Sequence, residues 1–176
     1  MKEERHSKME IQKLSVCYSV RRLDKDDVDS IYELSRGNKI FYQYHPPFVT
    51  KESILEDMEA LPPNKTKEDK YYLGYFQKDT LVAVMDLILG YPNEKVAFIG
   101  FFMMDTMFQG KGIGTELISE CTNYLAQEGY EKIRLAIDKG NPQSEAFWTK
   151  NYFVKTGEEY PNEISIYLPM ERKIGL

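Results

Sequence analysis

Cysteine and histidine are both scarce: the chain holds two of each in 176 residues. Cys17 and Cys121 form no CxxC pair, and two histidines offer few nitrogens. A disulfide scaffold and a Cys/His zinc site are therefore disfavoured, and no metal is expected. So little cysteine suits a cytoplasmic protein. Long apolar runs are missing too. Nothing approaches the ~20 residues of a membrane-spanning helix, so no membrane partner is expected. Met1 to Lys13 is charged and lacks the apolar core of a signal peptide. It reads as a flexible tail over 1–13, followed by one folded domain over 14–176. Excess positive charge is also lacking. Lys and Arg number 23 against 28 Asp and Glu, a formal net charge of −5. Nucleic acid is disfavoured as a partner, because binding phosphates needs a basic footprint. Mild acidity suits a cationic substrate such as an amine, and equally suits solubility alone.

What is present is a regular alternation of elements. Leu14 to Arg22 is β-rich and reads as a first strand. Asp24 opens a helix with Val28, Ile31, Tyr32 and Leu34 on one face, and Gly37-Asn38 stops it. Phe41 to Phe48 (FYQYHPPF) reads as an aromatic loop, because proline breaks a helix. Thr50 caps a second helix with Ile54, Leu55, Met58 and Leu61 as its stripe, ended by Pro62-Pro63. Three apolar runs follow, Lys70–Gln77, Thr80–Leu89 and Lys95–Met104, joined by short turns as in an antiparallel meander. A long helix spans Gly112 to about Glu128. Then come a strand at Lys132–Ile137, a short helix from Asn141-Pro142 to Lys150, and strands near Tyr152–Thr156 and Glu163–Met170. The order predicts an α+β (mixed α/β) domain. Its central, mostly antiparallel sheet would have about seven strands, flanked by about four helices. A final strand with a free edge is where a homodimer would pair.

Between the third run and the long helix lies Gln109-Gly110-Lys111-Gly112-Ile113-Gly114-Thr115. Glycines admit positive φ and let a ligand approach the backbone. The helix start offers unpaired amides and the positive end of a dipole, so the segment reads as an anion site. Thr115 adds a hydroxyl and Lys111 a cation. The Walker pattern GxxxxGK[ST] is absent. The dinucleotide pattern GxGxxG fails at Leu117. Glycine spacing alone fits a structural helix start equally well.

The pattern Gln-x-x-Gly-x-Gly after an apolar strand resembles motif A of the GNAT (GCN5-related N-acetyltransferase) superfamily. Asn141-Pro142-Gln143-Ser144-Glu145-Ala146-Phe147-Trp148-Thr149-Lys150-Asn151-Tyr152-Phe153 resembles the superfamily's later motif, N-x-x-A/S-x-x-F-Y-x-K-x-G-F. The resemblance extends from Cys17-Tyr18-Ser19-Val20-Arg21 to Tyr167-Leu168. It implies acetyl-CoA as acyl donor. The backbone of Phe102, Met103 and Met104 would pair with pantetheine, much as an added strand pairs. The amides from Gln109 through Gly110, Lys111, Gly112, Ile113 and Gly114 to Thr115 would hold the pyrophosphate. Asn141 would meet the pantetheine arm, with Ser144, Phe147 and Trp148 on its other side, and Lys150 would approach the nucleotide phosphates. Phe147 and Trp148 also suit plain core packing. Two positions depart from the motif. Trp148 stands where a tyrosine often protonates the departing thiolate, and indole has no such acidity. Tyr152 replaces a glycine; it is a candidate phenol acid or a packed strand residue.

Amine acetylation needs a neutral nitrogen, while an alkylammonium has a pKa of about 10, so a base is expected. Asp86, alone in an apolar strand, is the leading candidate, with a structural hydrogen-bonded role as the alternative. Asp105 is second. A backbone amide near Met103 or Met104 would stabilise the developing oxyanion. Phe41, Tyr42, Tyr44 and His45 form a candidate substrate wall, completed near Asn162–Glu163, or else a hydrophobic anchor. The expected function is acetyl transfer from acetyl-CoA to a small-molecule primary amine. The alternatives are a protein or peptide N-acetyltransferase and a non-catalytic acyl-CoA-binding protein.

Overall fold

The computed structural model describes residues 8–175. Strand β1 (Ser19–Arg22) leads to a capping box: the Asp24 carboxylate accepts from Asp26 N–H, and Asp27 accepts from Asp24 N–H. Helix α1 (Val28–Arg36) follows and buries Val28, Ile31 and Leu34. Next come α2 (Lys39–Tyr44) and α3 (Lys51–Glu59). Thr50 and Ser53 cap α3 reciprocally. The meander is β2 (Lys70–Gln77), β3 (Thr80–Leu89) and β4 (Val96–Met104). After it stand α4 (Ile113–Gln127), β5 (Lys132–Asp138) and α5 (Pro142–Lys150). Two-residue strands β6 (Val154–Lys155) and β7 (Tyr160–Pro161) precede β8 (Ile166–Lys173).

Several expectations are corrected. The first strand begins only at Ser19. Ile11–Leu14 is a 3₁₀ turn, and Ser15 Oγ accepts from Tyr18 N–H to turn the chain before the sheet. Residues 1–7 of the expected tail lie outside the described residues. From Met9 onward the chain is packed: Met9 joins the core, and Glu10 N–H donates to Tyr124 Oη at 2.9 Å. The aromatic segment 41–48 is partly helical. Its prolines restrict only the residue before them and the turn beyond, so α2 runs to Tyr44 and stops short of Pro46. The last strand is not an edge. β8 lies between β5 and β6, and the edge is the two-residue β6, too short to present a long pairing surface.

Among the described residues the sheet has eight strands in the order β1-β2-β3-β4-β5-β8-β6, with β7 also paired to β8. Only the β4–β5 contact is parallel. Helix α4 packs Leu117, Ile118, Cys121 and Leu125 onto one face, where Trp148 of α5 also sits. On the other face Val28, Ile31, Leu34 and Ile54 meet Tyr72, Val84 and Met103. Each such buried aliphatic contributes about 1.5–3 kcal/mol. Among the described residues no helix is long and apolar enough to cross a membrane.

One irregularity positions the site. On β4, Phe101 faces Asp86 and Ile99 faces Leu87, so Gly100 bulges without a partner on β3. Pairing of β4 with β5 ends at Ile99–Leu135. Beyond it, Phe101–Met104 pair with no strand but β3, and Ala136–Asp138 with none but β8, while Met104 O is taken by the Gln109 and Asn38 side chains. The two parallel strands part and leave one edge of β4 with free backbone groups, which call for a partner.

Candidate active site

The glycine segment closes the open end of this gap. Gly112 is the N-cap of α4 with φ +80°, a conformation costly for a residue with a β-carbon. Glu116 N–H makes the first helical bond, back to Gly112 O, so the amides of Ile113, Gly114 and Thr115 have no acceptor within the helix. A β-carbon on Gly112 would touch nothing within 4 Å. Gly114 is glycine for a different reason. Its β-carbon would lie 2.9 Å from Met104 Sδ and 3.0 Å from Phe147 Cε2, so the missing side chain lets α4 close on β4 and α5. The loop is tied down by Gln109. Its Nε2 donates to Asn38 Oδ1 at 2.8 Å and to Met104 O at 3.0 Å, and Asn38 Nδ2 donates to the same Met104 O at 3.0 Å.

A cleft of about 370 Å³ runs along the free edge of β4. Phe102, Met103 and Met104 form its floor, and Gln109, Gly110, Gly112, Gly114 and Thr115 its end. Ser144, Phe147, Trp148 and Lys150 come from α5, with Gln143, Phe41 and Asn38 completing the lining. Phe102 stacks on Phe147 at 5.9 Å and 17°, and Trp148 lies edge-on to both. Trp148 also packs on Phe153, so it is cleft wall and core at once. Lys111 is exposed, while Ile113 packs against the core. Asn141 is buried and caps α5: its Oδ1 accepts from Gln143 and Ser144 N–H, while Nδ2 has no partner. A buried amide donor without an acceptor is costly and suits a ligand carbonyl. A strand edge without a strand partner and the helix-start glycines, along one groove, fit a pantetheine diphosphate, while Asn141 lies buried behind Gln143 and Ser144, which line the groove.

On the opposite face lies a polar cluster under α2. Asp86 sits at the bulge, its Oδ2 2.9 Å from where a Gly100 β-carbon would be; glycine makes room for the carboxylate. Lys70 Nζ donates to Asp86 Oδ2 and to Ala60 O, both at 2.8 Å, while Asp86 Oδ1 has no partner. Burial raises the Asp86 carboxyl above its usual range, against the pull of the Lys70 ammonium. Asp57 of α3 is reached by solvent, yet crowding still raises its carboxyl, with Lys70 and His45 pulling it down. His45, at the end of α2, places Nδ1 3.0 Å from Asp138 Oδ2. The buried Asp138 also accepts from Ser165 Oγ at 2.7 Å. His45 lies between the rings of Phe41 and Tyr167, and Phe41 packs edge-on against Phe101 of β4. The hydrogen bond to Asp138 raises the His45 pKa above its ordinary value, against desolvation. Tyr42 packs on Phe41 and Phe48, and burial pushes its phenol up to about 12. Tyr44 is half-buried on the same helix. The region near Asn162–Glu163 adjoins the cluster through Asn162, which bonds to the Tyr167 hydroxyl.

Two candidates fall away. Tyr152 is exposed, with its ring over Arg172 and outside the cleft, so it is placed to protonate nothing there. Its φ of +69° explains why the motif puts glycine at this position. Asp105 caps a 3₁₀ turn, its Oδ1 accepting from Met107 N–H at 2.8 Å, which gives it a structural task. The sequence reading passes over Lys70, Asp57, Asp138 and Asn38. Asp138, a lone carboxylate closing an apolar strand just before Gly140-Asn141, carries the same signal as Asp86.

Residues 28–153 match the family model described as the Acetyltransferase (GNAT) family. No curated protein matches the chain. Among solved structures, an acetyltransferase from Thermus thermophilus superposes with a TM-score of 0.70 at 16% identity, covering 90% of this chain and 97% of that one. A Salmonella typhimurium acetyltransferase that modifies the N-terminal serine of ribosomal protein L7/L12 gives 0.72 at 21%, covering 92% and 97%. Spermidine N-acetyltransferase from Vibrio cholerae, in complex with CoA and spermine, gives 0.64 at 19%, covering 90% and 96%. The chain belongs to the GNAT family and is an acetyl-CoA-dependent N-acetyltransferase.

Proposed function

We propose that the protein acetylates the primary amine of a small molecule in the cytoplasm, by direct attack of the amine on the thioester. One observation carries the choice of a small acceptor. Helix α2 bridges the parted strands, resting on β4 through Phe41–Phe101 and bonding to β5 through His45–Asp138. We read that bridge as standing where an extended peptide would lie, with its aromatic rings and the nearby Asp57 and Asp138 carboxylates suited to an ammonium group. The unpaired Cys17 and Cys121 accord with a reducing compartment.

In this reading the free edge of β4 at Phe102–Met104 pairs with pantetheine. Asn141 Nδ2 donates to one of its carbonyls, and Ser144, Phe147 and Trp148 form the opposite wall. The amides of Gly112 to Thr115 hold the pyrophosphate, with Gln109 and Gly110 shaping the approach and Lys111 and Lys150 supplying charge. Bound acetyl-CoA supplies an activated acyl group. A β4 amide near Met103 stabilises charge developing on the carbonyl oxygen. Asp86 at the bulge is the base that takes a proton from the attacking nitrogen. Its raised carboxyl suits that work, since a base nearer neutrality is the stronger acceptor. With Trp148 in place of a phenol, no tyrosine at that position protonates the departing thiolate.

Asp86→Asn is expected to lower kcat by about 10²–10⁴-fold with little change in coenzyme affinity. A base must be deprotonated, so the wild-type rate rises with pH through the raised Asp86 value, and that limb disappears in the variant. A pH–rate profile unchanged by the substitution removes Asp86 as base. The reading as a whole is tested by an amine panel with acetyl-CoA, monitored by released thiol. Tight coenzyme binding with no turnover on any amine would instead make the chain a non-catalytic binder.

A further inference from the structure

An alkylammonium loses two protons on becoming an amide, one before it attacks and one after. A single buried carboxylate is poorly placed for both. We infer that His45, held by Asp138, is the second base, which strips the first proton from the incoming ammonium beside Phe41 at the wall of the cleft. The inference rests on the acetyl-transfer reading and adds a catalytic residue to it.

The geometry is that of a backed imidazole. Asp138, whose side chain is 5% exposed, is fixed by Ser165 Oγ and accepts from His45 Nδ1 at 3.0 Å. A carboxylate only accepts, so the proton of neutral His45 sits on Nδ1, and Nε2 carries the lone pair. The imidazole is also in touch with water: its side chain is 39% exposed, so a captured proton has a way out. The Asp86 side chain, 12% exposed and paired with Lys70, has little such path. His45 stands one ring from the cleft, 5.2 Å from Phe41, which lines it. The titratable groups facing the ring are Asp138 from β5, Asp57 from α3 and Tyr167 from β8. Both carboxylates favour the imidazolium, so the pair is a stronger base than a free histidine.

The proton balance closes. His45 Nε2 takes one proton from R–NH₃⁺ and releases it to solvent. The neutral nitrogen forms the C–N bond as the C–S bond breaks. Its second proton passes by way of Asp86 to the departing thiolate, giving the amide and CoA thiol.

The test uses the full chain with acetyl-CoA and three probes: 2-phenylethylamine, 1,4-diaminobutane and a tripeptide with a free N-terminus. For the fastest of these, kcat/KM is measured against pH in wild type, His45→Gln and Asp138→Asn. His45→Gln is expected to lose about 10–100-fold near neutrality, and the deficit should shrink toward pH ~10, where the amine sheds its own proton. Asp138→Asn should move the corresponding limb to lower pH. Coenzyme affinity should be unchanged in both. A deficit that is absent or independent of pH, or a limb unmoved in Asp138→Asn, overturns the inference while the acetyl-transfer reading stands. No wild-type turnover on any probe overturns both.

Discussion

Gly112→Glu is expected to abolish measurable coenzyme A binding while the chain remains folded. Gly112 lies at the N-cap of α4 with φ +80°, and a side chain there would project into open space. No steric clash therefore confuses the result. The backbone cost of a β-carbon in this conformation is about 1–2 kcal/mol, a fraction of the ~5–15 kcal/mol that stabilises a domain. The new carboxylate, by contrast, would stand at the mouth of the amides proposed to hold the pyrophosphate. It would cancel the helix dipole and repel the ligand. A loss of more than about 100-fold, or about 2.7 kcal/mol, is expected. The protein carries its own reporter: its only tryptophan, Trp148, lines the cleft. Titrating CoA against Trp148 fluorescence reads affinity, and a thermal melt reads folding. Gly112→Ala carries the same backbone strain without the charge and should lose much less. Wild-type affinity in Gly112→Glu would show that the diphosphate does not sit there.

Lys70→Met should produce the largest loss of stability. Lys70, with its side chain 5% exposed, is a principal partner of a buried carboxylate. Asp86 Oδ1 already lacks a hydrogen bond, and without Lys70 the Oδ2 atom loses its donor as well. Methionine keeps the aliphatic volume, so the loss is chiefly that of the charge. Removing one member of a buried pair costs about 3–5 kcal/mol, because the other remains as an uncompensated ion. The pH dependence has a definite sign. Burial already holds Asp86 above the ordinary carboxylate range, and losing Lys70 raises it further. The folded state of the variant then binds its proton more tightly than the unfolded chain does. Its deficit should be full above the raised folded value and shrink as pH falls toward the unfolded one. Urea unfolding at pH 5 and pH 8 checks this. The double variant Lys70→Met/Asp86→Leu, which removes both charges, should recover most of the loss. Equal stability of wild type and Lys70→Met at pH 8 would show that the pair does not carry this weight.

The glycine loop before α4 is legible in the sequence because its constraints are local. A helix start after a strand needs positive φ, and Gly110 and Gly112 supply it whatever the rest of the chain does. The meander is readable for a similar reason, since short turns force neighbouring strands together. What escapes depends on partners distant in sequence. Lys70 looks like an ordinary first residue of a strand until the sheet lays it against Asp86, sixteen positions away. Asp138 looks like a polar strand end until α2 brings His45 down on it. The Phe41–Phe48 segment is misread by extending the influence of Pro46-Pro47 backward over residues it does not reach. The first strand is drawn too long because β-rich composition in Ser15–Tyr18 carries no sign of the turn that Ser15 Oγ makes. Asp57 is hidden on the polar side of α3, where a carboxylate is commonplace.

The peptide oxygen of Met104 has two donors, Gln109 from the coenzyme loop and Asn38 from the junction that launches α2, and those two side chains also bond to each other. The coenzyme loop and the acceptor wall are thus fastened at one atom, and neither can shift without loading the other. Two ligands held at these two proposed sites would be coupled through it. Any factor by which the seated coenzyme tightens the hold on the amine is the factor by which the amine tightens the hold on the coenzyme. A knot of three hydrogen bonds thus ties the loop proposed for the coenzyme to the helix proposed for the acceptor.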